Sequence, residues 1–294
     1  MPEVDSIAQR WRFDGKRVVV TGCASGIGAC LVTQLRDLGA EIVGLDRLRP
    51  GTELDEFHEM DQADPLSIDR AARLVGTEVD VLFNIAGVSS GIGDPLRVAT
   101  INFLGMRHFT EALVPHMEPG SAVVSVSSLA AAGYLENRWA VNGFLETTSM
   151  QEGIDWCTAN PESIADGGYR LSKEAIILYT VRRSVELARR GIRMNCTGPG
   201  VTETPILDQL RSAYGQDYLD GIPKPLGRSA DPVEQASALL FLGSRAAGYI
   251  TGQVLWVDGG NLAARLAGEL AGPPPQTTAT GLPESAGAAP GERN

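Results

Sequence analysis

Arg17-Val18-Val19-Val20-Thr21-Gly22-Cys23-Ala24-Ser25-Gly26-Ile27-Gly28 decides how this chain is read. A β-branched run enters a glycine-rich turn, and apolar residues at Ile27, Leu31, Leu35 and Leu38 then continue at helical spacing. Eighteen positions after Gly28, a second apolar run, Ile42-Val43-Gly44-Leu45, ends in Asp46. Strand, glycine turn, helix, strand and acid, in that order, make a dinucleotide-binding unit. The turn needs Gly22, Gly26 and Gly28 because side chains there would hold the backbone away from a pyrophosphate. Ser25 and Ile27 ride on the same turn as further cofactor contacts. The helix start behind it offers unpaired N–H groups and a partial positive charge to that anion. Asp46, at the second strand end, can accept from both hydroxyls of a ribose.

Outward from this unit the chain alternates. Apolar strand-like runs recur at 18–21, 42–46, 79–84, 122–127, 192–197 and 254–257, with helical patterns at 27–38, 67–75, 95–117, 169–190 and 232–242. The strands are apolar throughout, as expected when helices cover both faces of a sheet. Alternation at this spacing predicts right-handed crossovers and an α/β Rossmann-type doubly wound parallel sheet. One domain is expected over 13–262, preceded by a loose lead-in at 1–12 and followed by a tail at 263–294. The last 24 residues hold 5 Pro, 4 Gly and 5 Ala around one large apolar residue, and are expected to be disordered.

Composition narrows the function classes. The 294 residues are 43% hydrophobic, enough for a large core. A net charge of -11 argues against a nucleic-acid or anionic-membrane surface. No apolar run approaches the roughly 20 residues of a membrane helix, and the N-terminus carries no apolar signal core. A cytoplasmic protein is expected. Its four scattered cysteines read as reduced and mostly buried, and its three histidines show no ligand spacing, so no metal site is expected.

Tyr169-Arg170-Leu171-Ser172-Lys173 opens the long predicted helix and sets Tyr169 and Lys173 at i and i+4 on one face. An ammonium beside a phenol favours the phenolate, which lowers its pKa from about 10 toward the range of a general base. Alone, such a pair is usually two surface residues. Here it has company.

The chain resembles a classical short-chain dehydrogenase/reductase from about Phe13 to Leu262. TGCASGIG (21–28) matches that family's glycine loop, and NIAG (84–87) its NAG motif. Asn102 in INFLG matches the helix asparagine, Ser128 in VSVSS the serine, and YRLSK the Tyr–Lys pair. PGVTETP (199–205) matches the loop on the nicotinamide side. The resemblance implies that Tyr169 exchanges the hydroxyl proton, that Lys173 holds the nicotinamide ribose, and that Ser128 hydrogen-bonds the substrate oxygen. Ser127 is a rival for that role. Asn102 would hold a water leading from Lys173 to solvent, and is also a helix-kink residue. Asn84, Ala86 and Gly87 would border the cofactor, with Asn84 more a backbone brace than a substrate contact. Pro199 and Gly200 would flank the nicotinamide, and Thr202 and Thr204 its carboxamide and the pyrophosphate.

Asp46 selects the cofactor in this reading. Its carboxylate repels a 2′-phosphate, and no Arg or Lys lies within 22–28 to offset it, so NAD is expected over NADP. Arg47 could soften that preference or stack on the adenine. Asp61 and Gln62 would sit against the adenine amino group.

The chain departs from the family in one stretch. Ser128 and Tyr169 are 41 positions apart, far more than in most members. The extra segment, 133–168, carries Trp139, Phe144 and Trp156 and is expected to form a helical cover over the site, its aromatics lining the pocket or packing beneath that lid. Such an insertion resembles a subgroup that includes bacterial 3α-hydroxysteroid dehydrogenase/carbonyl reductase and coniferyl-alcohol dehydrogenase. That implies a bulky, apolar alcohol or carbonyl as substrate. In most of the family the helix bearing the Tyr–Lys pair packs on its symmetry mate. An insertion there is expected to block that contact and leave a homodimer or other homo-oligomer built through another face.

Overall fold

In the computed structural model, which describes residues 6–270, the chain opens with a short helix, α1 (Ile7–Trp11), and enters the sheet at β1 (Arg17–Thr21). Helix α2 (Gly26–Asp37) returns to β2 (Glu41–Asp46), followed by β3 (Glu56–Glu59), α3 (Pro65–Val75) and β4 (Val81–Asn84). Next come α4 (Pro95–Ala99), a π-helical stretch over Thr100–Gly105, and α5 (Met106–Leu113), which leads to β5 (Ala122–Val126). The insertion forms α6 (Arg138–Leu145) and α7 (Met150–Ala159) before the long α8 (Tyr169–Arg189). After β6 (Arg193–Pro199) lie α9 (Pro205–Tyr214), α10 (Gln216–Asp220), α11 (Pro232–Gly243), β7 (Val254–Val257) and α12 (Asn261–Leu266).

All seven strands are parallel, in the order β3-β2-β1-β4-β5-β6-β7. This is the doubly wound sheet read from the sequence. The chain winds outward from β1 through β2 to β3, then restarts at β4 and winds the other way. The switch between β1 and β4 opens a crevice at the carboxyl ends of the strands, where such sheets bind ligands. Strands β4 and β5 are buried at every residue, because helices cover both faces. One core joins Val18, Val20, Leu31, Leu35 and Phe83 to Leu239 of α11, and the other joins Val19, Leu82, Phe103 and Phe109 to Ile177 of α8.

Three departures from the sequence reading have physical causes. Strand β3 (Glu-Phe-His-Glu) contains one large apolar residue and forms the partly exposed sheet edge, so a search for apolar runs passes over it. The helical pattern at 95–117 is one path with a π-helical insert in its middle. Residues 6–12 of the lead-in are held rather than loose, and residues 1–5 lie outside the described residues. Ser6 and Gln9 form a capping box on α1, the Trp11 ring lies 5.5 Å from that of Phe241, and Arg245 donates to the Gln9 carbonyl at 3.0 Å. At the other end, α12 occupies the first positions assigned to the tail, and the stretch beyond 270 lies outside the described residues.

The insertion is helical, as expected, and of the two placements expected for its aromatics, Phe144 and Trp156 take the packed one while none of the three lines the cleft. Phe144 is fully buried in the main core, its ring 5.1 Å from Phe103 and 5.5 Å from Trp156. Trp139 is 74% exposed and carries the Arg138 guanidinium over its face. Buried Arg107 of α5 donates to the Leu145 carbonyl at 3.3 Å and to Thr147 Oγ1 at 3.0 Å, clamping the turn between α6 and α7. Phe144 and Trp156 find more apolar area against Phe103 and α8 than at a wet cleft, and for these two core packing wins. Among the described residues, no helix is long and apolar enough to cross a membrane, and no cluster of three His, Cys, Asp or Glu is placed to hold a metal.

Candidate active site

The carboxyl ends of β1, β2, β4, β5 and β6 converge on a cleft of about 770 Å³. On its β1 side the chain turns so tightly that side chains are excluded. A Cβ on Gly22, which sits at φ 72°, would come within 2.7 Å of the Ala86 backbone, and one on Gly28 within 2.0 Å of the Gly22 carbonyl oxygen. Ser25, Gly26 and Ile27 complete this wall, and α2 starts at Gly26 with its N-terminus facing the cleft. Asp46 is fixed across from it, Oδ2 accepting from Ala24 N at 3.0 Å and Oδ1 from Leu48 N at 3.2 Å.

Arg47 and Asp61 also line this end, with Arg47 Nε 3.9 Å from Asp61 Oδ2. Gln62 donates to the Ile101 carbonyl at 2.7 Å, while its buried Oε1 has no partner among the described residues. An unpartnered acceptor on a residue of the cleft wall suits the amino group of an adenine. A carboxylate at the ribose position and a side-chain-free glycine turn suit the rest of a dinucleotide. The residues present fit that group.

Ala86 and Gly87 form the opposite wall, held by Thr21 Oγ1, which accepts from Ile85 N at 3.1 Å and Ala86 N at 3.2 Å. Asn84 does not reach the cleft. Its amide donates to Thr110 Oγ1 at 2.9 Å and to Ser125 Oγ at 3.3 Å inside the core, which corrects the expectation that it borders the cofactor and leaves it a brace. Pro199, Gly200, Thr202 and Thr204 line the far side, where Thr202 Oγ1 donates to the Gly200 carbonyl at 3.0 Å.

Tyr169 and Lys173 sit one turn apart at the start of α8, with Lys173 Nζ 5.5 Å from the Tyr169 ring centroid. Lys173 is buried and donates to the Val126 carbonyl at 3.0 Å. Burial pushes its pKa down to about 8. Burial also raises the Tyr169 phenol above its ordinary value, with the Ser128 hydroxyl acting against that rise. The depression expected from Lys173 is therefore absent in the protein alone. The ammonium lies over the ring and is bonded to a carbonyl, so desolvation of the phenol prevails.

The two serines divide. Ser127 Oγ donates to the Lys173 carbonyl at 2.8 Å, whereas Ser128 faces Tyr169 and caps the short turn after it by accepting from Ala130 N at 3.2 Å. Asn102 stands behind the cleft wall, in the π-helical stretch. Its Oδ1 accepts from Val88 N at 2.8 Å, and its amide donates to the Val88 carbonyl at 3.0 Å and Ser172 Oγ at 3.3 Å. A Cβ on Gly87 would meet Asn102 Oδ1 at 3.1 Å and Lys173 Nζ at 3.6 Å, so these two side chains converge there. The π-turn aims Asn102 at that point, a common use of such bulges. Sequence reasoning missed Tyr218 of α10 and Arg265 of α12, which also line the cleft. Neither carries a motif, and only the fold brings them in.

A glycine turn at a sheet switch point, with a tyrosine, a lysine and a serine meeting beside it, defines a dinucleotide-binding oxidoreductase. The chain belongs to the short-chain dehydrogenase/reductase family. The family description "short chain dehydrogenase" matches residues 16–152, and "Enoyl-(Acyl carrier protein) reductase" matches 161–261. The gap between them falls within the insertion. The chain is 35% identical to coniferyl-alcohol dehydrogenase of a Pseudomonas species, covering 85% of this chain and 97% of that one. It is 29% identical to 3-alpha-hydroxysteroid dehydrogenase/carbonyl reductase of Comamonas testosteroni, over 83% and 95%. Among solved structures it is similar to the 3-alpha-hydroxysteroid dehydrogenase of Pseudomonas sp. B-0831 complexed with NADH, with a TM-score of 0.74, 30% identity, and coverage of 87% and 100%.

Proposed function

We propose that this protein is an NAD-dependent dehydrogenase that moves a hydride between the nicotinamide and the carbinol carbon of a bulky, apolar alcohol, steroid-like or aryl-allyl. The observation that carries the reading is the meeting of Tyr169, Ser128 and Lys173 in the cleft that also holds the glycine turn. A bound nicotinamide dinucleotide supplies the hydride acceptor or donor. Gly22, Gly26, Gly28, Asp46, Thr202 and Thr204 would hold it, and Lys173 its ribose.

The side chains do the remaining work. Ser128 Oγ donates to the substrate oxygen and fixes it beside Tyr169. Tyr169 Oη removes the hydroxyl proton as the alcohol is oxidised, or returns it to the carbonyl oxygen in reduction. Asn102 and Lys173, converging at Gly87, mark the path by which that proton exchanges with solvent. Val88, Leu129, Ile206, Leu210, Ile222 and Leu262 give the substrate end apolar walls and keep water from the reacting carbon.

The preference for NAD rests on Asp46, whose carboxylate faces the position of a 2′-phosphate. One observation favours NADP as a second reading. Arg47 is 66% exposed and held only loosely by Asp61, so it is free to swing toward such a phosphate. The test is a screen of steroid, aryl-allyl and alicyclic alcohols with each cofactor in turn. Turnover confined to NAD with bulky alcohols supports the proposal. Turnover confined to small polyols or acyl thioesters overturns the substrate class. We also infer a cytoplasmic homo-oligomer, with small-molecule partners only.

A further inference from the structure

Between β6 and α11 the chain lays Ile206, Leu210 and Ile222 along the cleft as apolar wall, and Tyr218 of α10 stands among them. The backbone on either side of Tyr218 is fixed. Leu219 is buried, Lys224 Nζ donates to the Leu219 and Ile222 carbonyls at 2.8 and 3.1 Å, and Asn261 Nδ2 donates to the Pro223 carbonyl at 2.6 Å. The Tyr214 ring packs on that of Tyr218, with centroids 5.3 Å apart and planes at 49°. A ring placed in advance of the substrate spares binding the cost of ordering it.

The hydroxyl of Tyr218 is not held. It makes no hydrogen bond among the described residues. By contrast, Ser127 is tied to a backbone carbonyl, and Ser128 acts on Tyr169. Burial pushes the Tyr218 phenol up to about 12, and the phenols of Tyr214 and Tyr169 add to that rise. A phenol's charge centres on its oxygen, so the hydroxyl end of Tyr218 lies within electrostatic reach of Tyr169. Near neutral pH it stays protonated, a donor and not a base.

Water can satisfy such a hydroxyl in an open cleft. A bulky apolar substrate expels that water, and a donor left unpaired against it costs its full desolvation penalty. A substrate escapes the penalty only by bringing an acceptor. Its reacting oxygen is taken by Ser128 and Tyr169, so the acceptor is a different atom.

On the reading of the cleft as a hydride-transfer site, we propose that Tyr218 is a specificity-determining residue whose hydroxyl donates to a second oxygen of the substrate. That oxygen is a carbonyl, ether or hydroxyl on the skeleton, apart from the reacting carbon. The substrate class is thereby narrowed from bulky apolar alcohols to those with an acceptor placed to meet Tyr218. A site that presents a buried donor rejects the analogue with a methylene in place of the oxygen.

The test uses the full-length protein and matched pairs on two skeletons. The 3-arylprop-2-en-1-ols carry methoxy or ethyl at each ring position in turn, and the 3-hydroxysteroids carry a carbonyl or a methylene at successive ring positions. Where the oxygen meets Tyr218, the oxygenated compound should exceed its match in kcat/KM by about tenfold, the scale of one hydrogen bond. Tyr218→Phe keeps the ring and its packing on Tyr214, and should make the two members of that pair equal. A merely structural role would lower both members together and leave their ratio alone. Equal kcat/KM for every pair in the parent, or a preference that survives Tyr218→Phe, overturns the proposal. An equal fall in kcat for both members also overturns it, since the hydroxyl would then serve the reacting oxygen. If no alcohol is turned over with either cofactor, the dehydrogenase reading fails, and calorimetric binding of the same pairs decides the role of Tyr218 alone. An affinity difference lost in Tyr218→Phe supports that role, and equal affinities overturn it.

Discussion

Ser127 Oγ donates to the Lys173 carbonyl at 2.8 Å, pinning the end of β5 to the second turn of α8. The next residue, Ser128, turns to Tyr169 instead. Two adjacent hydroxyls thus separate a packing role from a chemical one. Ser128→Ala should lower kcat by ~10²–10³-fold, the usual effect of removing one donor to a developing charge. Ser127→Ala should cost about 1 kcal/mol of stability, the net worth of one hydrogen bond, and change kcat far less. Chemical denaturation and steady-state kinetics on both variants check this. The opposite pattern would make Ser127 the substrate donor.

Tyr169→Phe keeps the ring and removes the proton. A loss of ~10²–10⁴-fold in turnover is expected, with cofactor affinity nearly unchanged. Burial holds the phenol above its ordinary pKa, so it is neutral near pH 7. Reduction needs that neutral phenol and should stay level near neutrality, then fall as pH rises through the phenol's pKa. Oxidation needs the phenolate and should climb over the same range. The oxidation optimum must therefore lie on the alkaline side of the reduction optimum. Activity of Tyr169→Phe within tenfold of the parent would remove Tyr169 from the chemistry.

How much of this was legible in the sequence depended on whether local pattern or tertiary context set the outcome. The glycine turn at 17–28, six of the seven strands, each an apolar run of its own, and the Tyr–Lys spacing at 169–173 are local and were readable. Strand β3 was not, because an edge strand with alternating polar residues lacks the apolar run that marks its neighbours. The motif match put Ser128 ahead of Ser127, and the way β5 meets α8 supplies the physical reason, since it ties Ser127 to the Lys173 carbonyl. Burial of Tyr169 reversed the expected direction of its pKa, and burial is a property of the whole fold. Phe144 and Trp156 read equally well as pocket or core from their spacing, and the fold chose core.

Asp46 is held by Ala24 N and Leu48 N, so its position depends little on what binds beside it. Asp46→Ala should raise the relative use of NADP, since the repulsion is gone, without making a good NADP enzyme, since only Arg47 remains to meet a phosphate. The ratio of kcat/KM for NAD and NADP is the measurement. A parent enzyme that already prefers NADP would make the assignment of Asp46 wrong.

The packing of the insertion gives a stability test that separates two of its aromatics. Phe144→Ala removes a fully buried ring from contact with Phe103 and Trp156, and should cost about 3–5 kcal/mol. Trp139→Ala acts on a side chain that is 74% exposed, and should stay within about 0.5 kcal/mol. Thermal and denaturant unfolding report both. A large effect on KM for bulky substrates from Trp139→Ala, with stability intact, would restore Trp139 to the pocket wall.

Assembly follows from where the insertion lies. Helix α6 runs against α8, and Arg182 donates to Asn142 at 2.5 Å across their contact. A second copy approaching that part of α8 meets α6 first. On the other side of the molecule Val233 of α11 is 42% exposed and Leu255 of β7 is 36% exposed, with Tyr249 fully exposed between these elements. We expect a homodimer built across α11 and β7, because apolar side chains left in water there gain about 25 cal/mol per Å² when covered. Light scattering should give twice the monomer mass for the parent. Val233→Glu with Leu255→Glu should give the monomer mass, since charges buried in such a contact are costly. Val181→Glu with Val185→Glu, on the exposed part of α8, should leave the dimer intact. A tetramer in the parent, or a dimer lost only in the α8 variant, would show that the insertion does not block that helix from its symmetry mate.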